Sequence, residues 1–330
     1  MSARVDEVVR PAAAWGRHEG GGSLLHGQSL PARIGSWLDS KVGPKWRLWV
    51  LTFPCLLFVA VFAYAPMYGL RLAFFDFDPR EGISGGEFVG LKYFSKFIMS
   101  PMFGQIMVNT IRISLWTLVM SFICPIVLAL LINQIGNSKI KGFVQTITYM
   151  PHFISTVVIV AMINIFLDPT AGILGRFAGD TSLMAIPGMF SVIYWVSEIW
   201  QHVGWDCIIY LAALSSVDLS LYEAAKIDGA GRLQLIRYVD LPTIMPTIGV
   251  MLILKMGSVL SVGFEKVFLM QNALNLSSSE VISTYVYRIG ILGNQFSYST
   301  AIGLFNTLIN FIFVVAANTI SKKVSDTSIY

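Results

Sequence analysis

The chain has 330 residues, of which 55% are hydrophobic and 13% charged, with a formal net charge of +4. A soluble domain carries about 25% charge, so a chain this apolar, with mean hydropathy +0.67, is expected to use lipid as its main solvent. The small positive excess argues against a nucleic-acid-binding surface. The three cysteines, Cys55, Cys124 and Cys207, all sit in apolar runs with neither metal-ligand spacing nor a disulfide framework, and read as small buried hydrophobes.

Residues 1–30 are rich in Gly, Ala and Arg ("PAAAWGRHEGGGSLLHG") and read as a flexible tail without the apolar core of a secretory signal. Residues 31–42 place Ile34, Trp37, Leu38 and Val42 at helical spacing; a short helix on the membrane surface and a linker fit that pattern equally. Six segments then reach the length and apolarity of a membrane helix: about 47–75, 103–133, 143–167, 185–213, 243–265 and 299–320. Pro54, Pro66, Pro125, Pro151 and Pro246 lie within or beside them, where neighbouring helices can satisfy the freed carbonyls. The expected organisation is an N-terminal tail (1–45), a six-helix membrane domain (46–323) and a short C-terminal tail (324–330), an all-α polytopic fold.

Lys and Arg set the orientation. With the N-terminus inside, fourteen of them fall inside and seven outside. The short loop "NQIGNSKIKG" has two cations and no acid, so both termini are expected in the cytoplasm. The outer connections, 76–102, 168–184 and 266–298, are longer, and the last carries the polar run "QNALNLSSSE". No inverted or tandem repeat is evident, which weighs against a secondary transporter.

The fourth and fifth spans are joined by "LSLYEAAKIDGAGRLQLIRYVDLP", residues 219–242. Ser220 and Glu223 have capping-box spacing, a helix over 221–227 follows, and Gly229-Ala230-Gly231 allows a tight reversal. A second short helix is expected over 232–238, ended by Asp240-Leu241-Pro242. This makes a helix–turn–helix elbow on the inner face, with Leu221, Tyr222 and Ala225 exposed.

Those residues carry a resemblance. Glu223-Ala224-Ala225, three residues, Gly229, nine residues, Val239, one residue, Leu241-Pro242 resembles the EAA signature of importer-type ABC transporter permeases, with Val239 where the pattern has Ile. The stretch "YAPMYGLRLAFFDFDPREGISGGEFVGLKYFSKF", above all Phe88–Phe94, is similar to carbohydrate-uptake permeases of the lipoprotein/polysaccharide subgroup. The resemblance implies a type I importer fold in which the elbow is a coupling helix seated in a cleft of a cytoplasmic ATPase subunit. Glu223, Ala224, Ala225 and Gly229 would form its core, flanked by Leu221, Tyr222, Lys226 and Asp228. It also implies a second, homologous permease, two ATPase subunits and an extracytoplasmic solute-binding protein, docked on the outer connections.

The P-loop pattern and even a Gly-Lys pair are absent, as is H-E-x-x-H. No catalytic residue, metal or bound cofactor is therefore expected on this chain, and ATP with its Mg would belong to the partner ATPase. Charge within a span is costly and marks a cavity or a partner. Span four puts Trp195, Glu198, His202, Trp205 and Asp206 near one face; span two does the same with Asn109, Arg112 and Trp116. Lys255 lies in span five near Ser258, and Asn306 and Asn310 in span six. These residues fit an aromatic-lined sugar path, and they fit internal charge pairing equally.

The reading is the membrane subunit of an ATP-driven oligosaccharide importer in a bacterial cytoplasmic membrane, with an acidic, alginate-type oligomer as one candidate cargo. The alternative is an ion-coupled secondary transporter using Glu198, His202 and Asp206, which leaves the elbow without a purpose. A membrane-embedded enzyme and a signalling anchor are further rivals.

Overall fold

Helices form along the apolar runs, and they break where proline removes a donor or a side chain caps a new start. The computed structural model describes residues 46–82, 85–170, 172–175, 182–257, 259–260 and 263–325; the expected tail and surface helix of 1–45, Arg176, Ser258 and residues 326–330 lie outside the described residues. Two units are distinguished, 1–67 and 68–330. The first holds helix α1 (Trp46–Val59), with Pro54 inside it, and a π turn at Ala60–Tyr64. A 3-10 stretch, Ala65–Phe74, carries the chain on into the second, and Leu48–Phe74 is long and apolar enough to cross a membrane.

The second unit opens with a two-stranded antiparallel ribbon, β1 (Phe75–Asp76) and β2 (Glu87–Phe88), which pairs Phe75 with Phe88. Helix α2 (Lys92–Ile98) seals its end: the Tyr93 hydroxyl donates to Asp76 at 2.6 Å and Lys92 adds an ion pair at 3.2 Å. These bonds hold the Asp76 carboxyl below its ordinary range, while burial first, and Asp76 second, push the Tyr93 hydroxyl up to about 12.

Helix α3 (Phe103–Asn133) matches the second expected span, residue for residue. The third, read as one helix over 143–167, is instead two. Helix α4 (Ser138–Tyr149) runs into a 3-10 turn at Met150–Phe153, and α5 (Thr156–Phe166) leaves at 97°. Pro151 lacks the N–H that would continue the ladder. Ile154 is extended, and the Ser155 side chain accepts from Val158 N–H to start a new helix.

Helix α6 (Pro187–Ser215) is the fourth span, and α7 (Leu219–Ile227) leaves it at 76°. After α8 (Arg232–Leu235), a π turn at Ile236–Asp240 feeds directly into α9 (Leu241–Met256). Asp240-Leu241-Pro242 therefore does not end a helix as expected. The wide π turn absorbs the missing N–H of Pro242, and Asp240 and Leu241 stay helical. The fifth span also stops at Met256, short of the expected 265. Beyond it come α10 (Phe264–Met270), α11 (Leu276–Ser279), α12 (Ile282–Tyr287), a π turn at Arg288–Leu292, and the last long helix, α13 (Phe296–Ser325). Among the described residues four helices are long and apolar enough to cross a membrane, or up to six spans if each bent pair counts as one.

Three buried clusters hold the second unit together. Tyr93, Phe97, Ile106, Tyr298 and Ile302 fill one end; Ile113, Phe190, Tyr194 and Val267 fill the middle. Leu130, Ile132, Tyr210, Leu214 and Ile244 pack α3, α6 and α9 beside the elbow. Gly204 lets α6 meet the end of α4: a Cβ there would collide with the Thr148 carbonyl. Gly204→Ala should lower stability by about 1–3 kcal/mol. Gly303→Ala, with nothing within 4 Å of its added methyl, should leave stability unchanged, as thermal denaturation in micelles would read.

Candidate functional site

The elbow is built from its caps outward. The N-cap of α7 is Asp218, not the expected Ser220: its carboxylate accepts the Ser220 N–H at 2.9 Å and is held below its ordinary range chiefly by that bond. At the other end Ala230 N–H donates to Ala225 O at 2.9 Å and Gly229 N–H to Lys226 O at 3.0 Å. Gly229 has φ +75. That is a Schellman stop, and its left-handed residue costs any side chain about 1–2 kcal/mol. The Glu-Ala-Ala to Gly spacing is thus two helical turns and the glycine that ends them.

The faces of α7 divide the motif. Leu221, Glu223, Ala224, Ile227 and Asp228 are exposed, with Ile227 at 86%. Tyr222 and Ala225 depart from their expected exposure: both are half-buried, and the Tyr222 hydroxyl donates to Asp240 at the head of α9. Asp240 is fully buried. Asn133 donates to its Oδ1 at 3.3 Å and Gln134 to its Oδ2 at 2.7 Å, both from the end of α3. One buried carboxylate thereby ties the elbow to the second and fifth spans, and none of Asn133, Gln134 and Asp240 was singled out from sequence. "NQ" and "VDLP" are polar punctuation in the sequence, and only the fold brings them together.

The polar residues of the spans fall into separate groups. Glu198 on α6 accepts from Lys266 Nζ at 2.9 Å and faces His202 Nε2 at 3.5 Å. Lys266, read from sequence as an outer-loop cation, is buried and also donates to Gln201 at 3.1 Å. His202 meets His152 Nδ1 to Nδ1 at 3.0 Å, and His152 stacks on Trp205 at 4.4 Å. The 3-10 turn at the third-span break puts His152 there. Lys255 pairs with Asp206 at 2.7 Å and donates to Ser121 O at 3.1 Å. Trp116 and Trp195 stack at 5.5 Å. Asn310 accepts the Leu260 N–H at 3.0 Å, while the buried Oδ1 of Asn306 makes no hydrogen bond.

Asn109 and Arg112 serve another element. Asn109 donates to Ser277 O at 2.9 Å and Glu280 O at 3.2 Å, and Arg112 donates to Ser278 O at 3.4 Å. The polar run of the last outer connection turns partly inward: Asn275, Ser279 and Glu280 are fully enclosed, while residues 272–274 and Ser277 are exposed. Backbone carbonyls carried among apolar helices need donors, and span two supplies them. Arg288 meets the Glu280 carboxylate at 2.7 Å, while burial pushes that carboxyl up against the pull of Arg288. Asn109 and Asn133 therefore mark opposite ends of α3, about 36 Å apart at 1.5 Å per residue.

Among the described residues no group of three His, Cys, Asp or Glu could hold a metal. Gly82, Ser84 and Gly86 have nucleophile-elbow spacing in the sequence, and Ser84 lies outside the described residues.

Removing one partner of a buried pair strands the other. Lys266→Met should cost about 3–5 kcal/mol, and the double change Glu198→Gln/Lys266→Met should recover much of it; a double-mutant cycle on thermal stability reads the coupling. Tyr222→Phe with Asp240→Asn should loosen the elbow, seen as faster amide exchange across 219–235 and unchanged exchange in the middle of α3.

Residues 121–326 match the family described as Binding-protein-dependent transport system inner membrane component, over more than half of the chain. Protein LplB of Bacillus subtilis (strain 168) is 39% identical over 293 residues, covering 87% of this chain and 92% of its own length. The polygalacturonan/rhamnogalacturonan transport system permease protein YteP of the same organism is 41% identical over 288 residues, covering 86% and 90%. The crystal structure of a bacterial ABC transporter involved in the import of the acidic polysaccharide alginate contains a chain that superposes with TM-score 0.79 at 34% identity, covering 89% of this chain and 99% of that one. A second structure, of bacterial alginate ABC transporter in complex with alginate pentasaccharide-bound periplasmic protein, matches at TM-score 0.79 and 35% identity, covering 88% and 99%. By its family match and these relatives, the chain belongs to the binding-protein-dependent inner membrane components, the permease subunits of ABC importers.

Proposed function

We propose that the chain carries an acidic oligosaccharide across the cytoplasmic membrane by alternating access, driven by ATP hydrolysed on separate subunits. The observation that carries this reading is the elbow: an exposed helix face, closed by Gly229 and tethered through Tyr222 to buried Asp240. A lever needs both a contact face and a rigid attachment. Leu221, Glu223, Ala224, Ala225, Asp228 and Gly229 form the contact with an ATPase subunit, and Tyr222 forms the attachment. ATP with its Mg is held by that partner, and a second permease completes the path.

Polygalacturonan and alginate, named for a relative and for the structural neighbours, are both acidic chains, which supports an acidic cargo. The periplasmic protein bound in the neighbour's complex supports a solute-binding partner. In the spans, the half-exposed Trp205 and His202 and the exposed face of Trp116 are the proposed sugar contacts. Glu198, Lys255, Asn109 and Asn310 act around that path as paired supports, since each already has a partner within the chain. Arg112, with its single long bond, and Asn306 remain available to a hydroxyl or carboxylate of the cargo.

The test is ATPase activity of the purified assembly with its binding protein, across acidic and neutral oligosaccharides. Stimulation by acidic oligomers is expected, and Glu223→Lys or Gly229→Pro should reduce it by about tenfold or more with insertion intact. Full stimulation in either variant would sink the elbow's role, and uptake that survives ATP depletion under a maintained ion gradient would restore the ion-coupled alternative.

A further inference from the structure

Between the elbow and the ends of α3 and α6 lies a cavity of about 560 Å³, to which the transport reading assigns no ligand. Leu214, Val217, Leu219 and Leu235 give it an apolar wall, and Lys226 and Arg232 give it a charged one. The two cations, both exposed, sit on either side of the Gly229-Ala230-Gly231 reversal, Lys226 on the same face of α7 as Leu219 and half-buried Tyr222. Among the described residues neither Lys226 nor Arg232 makes an ion pair or a side-chain hydrogen bond. No carboxylate lines the space. Asp240 is buried with both oxygens occupied, and Asp218 is spent on the Ser220 N–H. The Gln134 amide on the cavity wall gives one N–H to Asp240 and keeps the other.

Two like charges facing one open space repel each other until an anion comes between them. An apolar wall beside two cations is the complement of an amphiphile with a phosphate head. Basic pockets between membrane helices on the cytoplasmic side recognise such head groups. We propose that this cavity binds a phosphate group bridging Lys226 and Arg232, presented by an anionic phospholipid or by a free organophosphate. The inference rests on the reading that the elbow lies at the cytoplasmic face. The bound phosphate spans the reversal at Gly229, so it stiffens the elbow on the side away from the ATPase contact.

The experiment uses the full transporter assembly in phosphatidylcholine nanodiscs, titrated with phosphatidylglycerol and, separately, with glycerol phosphate, without sugar or ATP. Saturable retention of phosphatidylglycerol is expected by native mass spectrometry. Lys226→Gln/Arg232→Gln should weaken it about thirtyfold, from roughly 1 kcal/mol per cation. Lys139→Gln/Lys141→Gln, which removes exposed Lys139 and half-buried Lys141 of the neighbouring α4, should bind as the parent does. Competition by glycerol phosphate assigns the site to free phosphates; its failure to compete assigns it to lipid. Undiminished retention in the Lys226/Arg232 variant, or equal loss in the Lys139/Lys141 variant, overturns the proposal. If the neutral variant does not assemble, Lys226→Arg/Arg232→Lys must bind as the parent does, and binding to the parent must weaken as salt rises; either failure also overturns it. Sugar-stimulated ATPase in the same discs tests transport separately, so a transporter that works without binding phosphate defeats this inference alone.

Discussion

A charge carried among apolar helices must bring its partner with it, because neither lipid nor a packed core can solvate it. In this chain α6 is where that constraint is met. Its Glu198 takes Lys266 from α10, its Asp206 takes Lys255 from α9, and its His202 takes His152 from the break between α4 and α5. Three elements far apart in sequence are thereby held to one helix. Each pair is weak evidence for stability by itself, since desolvation consumes much of the attraction. Each is strong evidence for arrangement, because losing one partner leaves the other stranded.

The same constraint explains the two ends of α3. At one end Asn109 and Arg112 satisfy the carbonyls of a buried polar segment. At the other, Asn133 and Gln134 satisfy a buried carboxylate that also holds the elbow. Both are tethers to a single long helix with an unbroken apolar core. A tilt of α3 therefore displaces the buried segment and the elbow together.

Several local features of the elbow follow from backbone chemistry alone. Asp218 starts α7, the Schellman bonds stop it, and Gly229 supplies the left-handed residue that the stop demands. Beyond Gly231, the π turn at Ile236–Asp240 keeps the chain helical through Pro242 and rotates Asp240 inward. The reversal is thus short and closely specified, and the cavity behind it is a consequence of fitting two short helices against the ends of longer ones.

Much of this was legible in the residues themselves. The apolar runs fixed the spans at 103–133 and near 187–215 and 296–325, since twenty apolar residues have few alternatives in water. The Glu223-to-Pro242 spacing gave the elbow and the family. The break at Pro151–Ser155 was less visible, because Pro151 inside an apolar run is compatible with a kink as well as a stop. What no periodicity could reveal was pairing. Lys266 reads as an outer cation, Asn109 and Arg112 fit a sugar path and internal pairing equally, and Asp240 reads as the end of a turn. Their partners lie tens to more than a hundred residues away. The sequence by itself determined which segments enter the membrane and where the elbow bends, because these follow from local hydropathy and backbone sterics. Only the tertiary structure decided which polar groups face each other, because that depends on distances across the fold.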